Sequence, residues 1–373
     1  MLEQKQSKLD SIQALRGIAA LLVLIYHIAA QQIHAPGIDP SVDSWLKLGP
    51  WNQGYAGVDL FFLISGFVMV YVTQSAGRKA KDVGAFLYKR VVRIYPLWWV
   101  FAGLLGGYFF AIHGIWASPS APNLNAPATG YFIKSLLLLP QQNAPVLELG
   151  WSLVHEMQFY LIFAAFLFAP RRWLPTLLGI WSIVNVSGFF LGWSKAGNVQ
   201  AILFSLLSLE FIVGACVAWL VLKRFELAPK AILVTGVVLF LLVLVFYTDS
   251  TNIPKNWGRV LLYTPPFAMI IYGASIMERA GRLSVPRWLA TLGDWSYSLY
   301  LSHYLVLIFI RRVWREASPH LPETLVGRIS LGAPGVIDNV VFFVVSLMLC
   351  LIAAGMSYYI IERPLLRLAR RGK

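Results

Sequence analysis

Residues 15–27 read Leu-Arg-Gly-Ile-Ala-Ala-Leu-Leu-Val-Leu-Ile-Tyr-His. The apolar run that contains them covers residues 12–31, which is the roughly 20 residues a helix needs to cross a bilayer. Two groups in it do not belong in lipid: Arg16 near one end and His27 near the other. They are eleven positions apart, which at about 100° per residue is three turns and some 20° more, so both side chains share one face. The rise per residue separates them by about 16.5 Å along the axis. Ionisable groups inside a span are costly and point into a bundle. The stretch therefore predicts a membrane helix that turns an arginine and, deeper, a histidine towards other helices.

Similar apolar runs fill the rest of the chain. Ten spans are expected: 12–31, 55–74, 94–114, 149–169, 173–192, 200–222, 231–248, 260–277, 292–310 and 338–360. The expected fold is an all-α, polytopic membrane bundle, with residues 1–373 forming a single membrane-embedded domain. Composition agrees, with 58% hydrophobic and 13% charged residues, against about 25% charged in soluble domains. Such a deficit of charge excludes an ordinary soluble enzyme, a disordered chain and a nucleic-acid-binding module. Cys216 and Cys350 both lie in apolar runs, without disulfide or metal-ligand spacing. No A-x-A cleavage site follows the first run, so an uncleaved first helix is expected rather than a signal peptide. Segments 32–54 and 115–148, rich in Pro, Gly, Asn and Gln, are expected to be long outer loops, the second of them re-entering or covering a cavity.

Charge bias sets the expected sidedness. With the N-terminus cytoplasmic, the inner segments hold 22 of the 31 Lys and Arg residues, including Arg16, Arg90, Arg93, Arg171, Arg172 and the C-terminal cluster from Arg363 to Lys373. Positive charge collects on the cytoplasmic side, and ten spans return the C-terminus there. Segment 311–335, expected outside, is the exception, with Arg311, Arg312, Arg315 and Arg328. Those arginines are either stray loop charge or contacts for an anionic acceptor.

The other spans carry their own polar marks. Asp59 stands near the outer end of the second span, and Ser65-Gly66 at its middle is either a close helix contact or a gap for a narrow ligand. Arg90 and Arg93, three apart, point the same way just before the third span. They are either inner-face anchors or a phosphate clamp, for which the guanidinium fork is suited. In the fourth span Ser152 and Glu156 share a face, and His155 is turned away by about 100°. Ser296, Tyr300 and His303 follow the i, i+4, i+7 spacing and form a polar stripe on the ninth. Tyr358 to Pro364 reads mainly as a helix stop. Depth arithmetic places the arginines at the inner face and His27, Glu156, His303 and Asp59 deeper. A molecule with an anionic head and a reactive tail, such as acyl-coenzyme A, fits one continuous passage between the two groups.

These segments together resemble the membrane-bound acyltransferase-3 family, which O-acylates cell-surface carbohydrates. The resemblance rests on Leu15-Arg16-Gly17 with His27, on Gly57-Val58-Asp59-Leu60-Phe61-Phe62-Leu63-Ile64-Ser65-Gly66, and on Arg90-Val91-Val92-Arg93-Ile94-Tyr95-Pro96. It continues through Trp151-Ser152-Leu153 with Glu156, Tyr300-Leu301-Ser302-His303 and Glu362-Arg363-Pro364. The pattern is most similar to exopolysaccharide-acetylating members, without the C-terminal extracytoplasmic domain of some relatives. It implies a ten-helix bundle in the cell's inner membrane that moves an acyl group, usually acetyl, from cytoplasmic acyl-CoA to a saccharide hydroxyl. It also implies that Arg16 and His27 are required.

The expected catalytic set is His27, Glu156 and His303. Arg16, Arg90, Arg93 and Ser65 are expected to hold acyl-CoA, with Asp59, Ser152 and Tyr300 as further candidates. A thioester is already activated, so acyl-CoA is expected as co-substrate with no bound cofactor or metal. His27 would take the hydroxyl proton, and donors near Ser65 would stabilise the oxyanion. The expected partners are acyl-CoA, a saccharide acceptor and the lipid bilayer, without nucleic acid. The alternative is a transporter or flippase for a lipid-linked saccharide.

Overall fold

The structure is a computed structural model and describes residues 9–34, 50–118, 121, 123–247, 257–329, 331 and 339–371. Among them the chain is all-helical, with no strand. The bundle is built from α1 (Asp10–Ile33), α2 (Ala56–Val72), α3 (Ala80–His113), the short α4 (Thr129–Leu136), α5 (Gly150–Phe166), α6 (Leu174–Phe190) and α7 (Ser208–Leu222). It is completed by α8 (Pro229–Phe246), α9 (Trp257–Arg279), α10 (Arg287–Ala317), α11 (Val340–Ser357) and, after a π turn at Tyr358–Glu362, α12 (Arg363–Arg371).

Among the described residues, eight helical stretches are long and apolar enough to cross a membrane. Two of the ten expected spans are not among them. Span 149–169 is the 17-residue α5. It starts late because α4 runs back beside the middle of α3, where Trp98 Nε1 donates to Ser135 O at 3.1 Å and Trp99 Nε1 to Leu136 O at 3.0 Å. Gly150, the first residue of α5, packs on the Trp98 ring. The helix therefore begins halfway along α3 rather than at the end of the bundle. Span 292–310 lies inside the 31-residue α10, whose polar stripe and terminal arginines dilute its apolar character. α10 continues to Ala317, so Arg311, Arg312 and Arg315 sit on a rigid helix and not in a loop. Likewise α3 reaches back to Ala80 and carries Arg90 and Arg93 on regular helix.

The bundle exposes large apolar side chains outward and keeps its ionisable groups such as Asp59 and Glu362 buried within an apolar core, as bilayer solvent demands. On α8 only Gly236 is buried, and most of its valines and leucines are exposed, as is Phe246 at its end. The ring stack Phe62–Phe211–Phe159, with centroids 4.6 and 4.3 Å apart, ties α2, α7 and α5 together.

Two close crossings set the geometry. A Cβ on Gly293 of α10 would lie 1.9 Å from Gln13 O of α1, and one on Gly17 would lie 3.0 Å from Gly293 N. A Cβ on Gly66 of α2 would lie 1.9 Å from Phe211 O of α7, and one on Gly214 of α7 would lie 1.9 Å from Leu63 O. Small residues let backbones touch in this way. In the Ser65-Gly66 pair, Gly66 is thus a close helix contact.

Gly293→Ala is expected to force the α1–α10 crossing apart at a cost of about 1–3 kcal/mol, read as a lower unfolding midpoint in detergent. Gly103→Ala, which meets open space, is expected to be neutral or slightly stabilising, since alanine is the better helix former.

Candidate active site

Two chambers lie in the interior. The first, about 110 Å³, is enclosed by α1, α2, α3, α5 and α10. Its wall brings together Arg16, Ser65, Arg90, Arg93, Ser152, Glu156 and Tyr300, together with Tyr160, Ser296 and Tyr297. Glu156 accepts hydrogen bonds from Ser65 Oγ at 2.8 Å and from the Tyr160 hydroxyl. Arg93 is paired with Glu362, which also accepts from Ser298 Oγ at 2.6 Å, and its guanidinium lies 5.4 Å from the centre of the Tyr297 ring. Arg90 lies over the Phe86 and Tyr160 rings at 5.4 and 5.8 Å. Neither Arg16 nor Arg90 has a hydrogen-bonded carboxylate partner among the described residues. Three guanidinium groups against two carboxylates leave the chamber net positive. A cation so enclosed needs an anion to be stable, so this chamber is equipped to receive one.

Glu362 was read as part of a helix stop. The helix does not stop: a π turn carries it on into α12 and turns Glu362 inward, where it is 2% exposed. Such turns insert one extra residue and recur at functional sites. Arg93 is therefore a held charge, not a free half of a clamp with Arg90.

The second chamber, about 340 Å³, is lined by His27, Tyr26, Tyr55, Glu148, Trp151, Arg259, Tyr300 and Tyr304 among others. Ala144 and Glu148 bring the loop before α5 into its wall, as expected of a segment that covers a cavity. His27 Nδ1 lies 2.9 Å from Val23 O, and His303 Nδ1 lies 2.9 Å from Leu299 O. A carbonyl only accepts, so each Nδ1 carries the proton and each Nε2 a lone pair. His303 Nε2 then faces His27 Nδ1 at 3.3 Å as an acceptor. His27, which lines the chamber, is left with a lone pair on Nε2, while Val23 O and His303 Nε2 both face its Nδ1.

The chambers share Val58 and Tyr300. The Tyr300 hydroxyl is pinned by Ser152 Oγ at 2.7 Å and Leu149 O at 3.1 Å. The single passage expected from depth is thus two chambers meeting at this wall. The stripe Ser296, Tyr300, His303 runs from the first chamber past the wall to the back of the second.

Two expected placements are corrected. Glu156 stands with the arginines and makes no contact with either histidine, because α5 starts halfway along α3 and its second turn already lies at the arginine end. Asp59 lines neither chamber. It forms a two-point ion pair with Arg259, at 2.6 and 2.9 Å, and Arg259 in turn borders the histidine chamber beneath the Tyr55 and Trp151 rings. His155 is turned away as expected, against Phe62 and Trp151. Sequence reasoning misses Arg259 and Glu148, and it gives Glu362 no place in the site. A signal existed for the first: a buried carboxylate such as Asp59 demands a cation, and Arg259 is the basic residue next to the span at 260–277.

Fold and interior define a multi-pass helical membrane protein with a basic chamber joined to a histidine chamber. The family described as an acyltransferase domain matches residues 9–359. The chain belongs to this acyltransferase-3 family and is an acyltransferase. It is 30% identical over 328 residues to the exopolysaccharide production protein ExoZ of Rhizobium meliloti, covering 85% of this chain and 91% of that one. It is 25% identical to the acyltransferase MdmB of Streptomyces mycarofaciens, covering 98% and 93%. It is 24% identical to the peptidoglycan O-acetyltransferase OatA of Listeria monocytogenes, covering 83% of this chain and 51% of that one. No solved structure matches significantly. The transporter alternative gains nothing from these relatives.

Removing either partner of the Arg93–Glu362 pair leaves a charge uncompensated. A double-mutant cycle with Arg93→Gln and Glu362→Gln, read by thermal unfolding, is expected to give a coupling energy of about 0.5–3 kcal/mol, the range for contacting residues.

Proposed function

We propose that this chain is an integral O-acetyltransferase of the cytoplasmic membrane, with ten crossings and both termini inside. It moves an acetyl group from cytoplasmic acetyl-CoA to a hydroxyl of an exported or cell-surface polysaccharide. The observation that carries this reading is the juxtaposition of the two chambers: a net-positive one and one with a positioned imidazole base, parted by Tyr300 and Val58. The printed names of ExoZ and OatA support a polysaccharide acceptor and an acetyl group.

In this reading the arginine chamber faces the cytoplasm. Arg16 and Arg90 neutralise phosphate on the donor, with Arg93 held in place by Glu362. The thioester reaches the wall at Tyr300, and the acceptor hydroxyl enters from the other side. As its oxygen bonds to the carbonyl carbon, its proton passes to His27 Nε2. The carbon–sulfur bond then breaks, and the thiolate leaves with the proton returned by the imidazolium. His303 is a positioning residue, since the His27 Nδ1–H bond to its Nε2 strengthens as positive charge develops on His27. Ser65 is not the oxyanion donor, because its hydroxyl is given to Glu156. Arg259 takes that role: Asp59 occupies its Nε and Nη2, and its charge borders the same chamber. Glu156 fixes Ser65 and Tyr160 and tempers the charge of the arginine chamber.

With labelled acetyl-CoA and membranes containing the full chain, His27→Ala is expected to lower acetyl transfer by about 10²- to 10⁴-fold, the usual share of general acid–base catalysis. The variant should still accumulate in the membrane. Transfer at the native rate would sink the mechanism. Arg16→Gln is expected to raise KM for acetyl-CoA, while His303→Phe lowers kcat and leaves the donor KM unchanged.

A further inference from the structure

Beyond the histidine chamber lies a third cavity that the mechanism leaves unused. It has a volume of about 580 Å³ and is lined by Gln31 of α1 and by Tyr304, Ile308, Arg311, Arg312, Arg315 and Glu316 of α10. Positions 304, 308, 311 and 315 recur at the spacing of one helix face, so the cleft is a groove along rigid helix. Its charge is not balanced. Arg312 is paired with Glu316 at 3.0 Å and donates to the Tyr108 hydroxyl at 3.2 Å. Arg311 donates only to the neutral Gln31, at 3.1 Å. Arg315 is exposed and has no partner among the described residues. Among the described residues, two guanidinium groups one turn apart thus have no carboxylate partner.

The cleft adjoins the histidine chamber at Tyr304, which lines both and whose hydroxyl donates to Glu148 at 3.2 Å. Along α10, Arg311 stands about 12 Å and Arg315 about 18 Å from His303, at 1.5 Å per residue. A ligand anchored at the arginines reaches His27 only if it is an extended molecule whose anionic group and reacting group lie well apart. A saccharide chain bearing a carboxylate or phosphate has that form, and the guanidinium fork matches either oxyanion.

We propose that the Arg311/Arg315 cleft is an anion subsite for the acceptor, holding an acidic group of the saccharide while a hydroxyl further along the same chain enters the His27 chamber. The proposal rests on the reading that this chamber receives the acceptor. It makes the enzyme selective for acidic over neutral saccharides, through binding and not through the chemical step.

The test uses the full chain in detergent at low ionic strength. Binding is measured by calorimetry for trigalacturonate, its fully methyl-esterified neutral form, maltotriose 1-phosphate and maltotriose. At least one charged saccharide is expected to bind about tenfold or more tightly than its neutral counterpart, as charge-assisted contacts of this kind provide. An advantage for trigalacturonate identifies a carboxylate source, and one for maltotriose 1-phosphate a phosphate source. In the double variant R311Q/R315Q that advantage is expected to vanish while neutral saccharides bind as before. Equal binding of charged and neutral saccharides to the native protein would overturn the proposal, as would an advantage that survives in R311Q/R315Q. Acetyl transfer from acetyl-CoA is followed in parallel. If charge discrimination is present but no transfer occurs, the subsite stands and the proposed reaction falls.

Discussion

Gly17 and Gly293 allow α1 and α10 to touch backbone to backbone, and the geometry of the interior follows from that contact. His27 stands ten residues beyond Gly17, and His303 ten residues beyond Gly293. The two helices run the same way from the crossing, so equal offsets carry both histidines to the same height, about 15 Å on. There their rings meet, with centroids 5.1 Å apart. A side chain at the crossing would tilt one helix against the other and part the rings. In a bilayer no hydrophobic effect pulls such helices back together, so close packing and polar contacts must do it.

The second constraint is electrostatic. Some charges in the bundle are paired, as in Asp59–Arg259 and Arg93–Glu362, and others face a chamber without a carboxylate partner among the described residues, as at Arg16 and Arg90. The paired ones hold helices distant in sequence: α2 to α9, and α3 to the π turn before α12. The chamber-facing ones are left for a ligand. Glu278 belongs to the holding class, since its carboxylate accepts the backbone N–H groups of Asp10 and Ser11 at 2.7 and 2.9 Å. It caps the first turn of α1, where an acidic group complements the helix dipole, and fastens α1 to the end of α9.

Much of this was legible in the chain. The all-helical membrane class, the shared face of Arg16 and His27, the stripe Ser296-Tyr300-His303 and the turn of His155 away from Glu156 all follow from a 3.6-residue period and the cost of charge in lipid. The errors share a different origin. Glu156 was placed by depth with His27, but depth counted from a helix start presumes that the start lies at the surface. The return of α4 alongside Trp98 removes that presumption for α5. Tyr358 to Pro364 reads as a helix stop in sequence, whereas a π turn carries the helix on and buries Glu362. Ser65-Gly66 was open between gap and contact, and only the backbone of Phe211 decided it at Gly66.

By itself the sequence determined which residues must avoid lipid and on which face of each helix they lie, because helical period and solvation cost are local properties of the chain. It also carried the family pattern, since those polar groups recur in a fixed order. Tertiary structure alone decided which polar group meets which: Asp59 with Arg259, Arg93 with Glu362, His27 with His303, and Tyr300 as the wall between two chambers. Partners two hundred or more positions apart meet through the crossing and starting level of helices. Those are set by where backbones can touch and where a loop returns, and no local period encodes either.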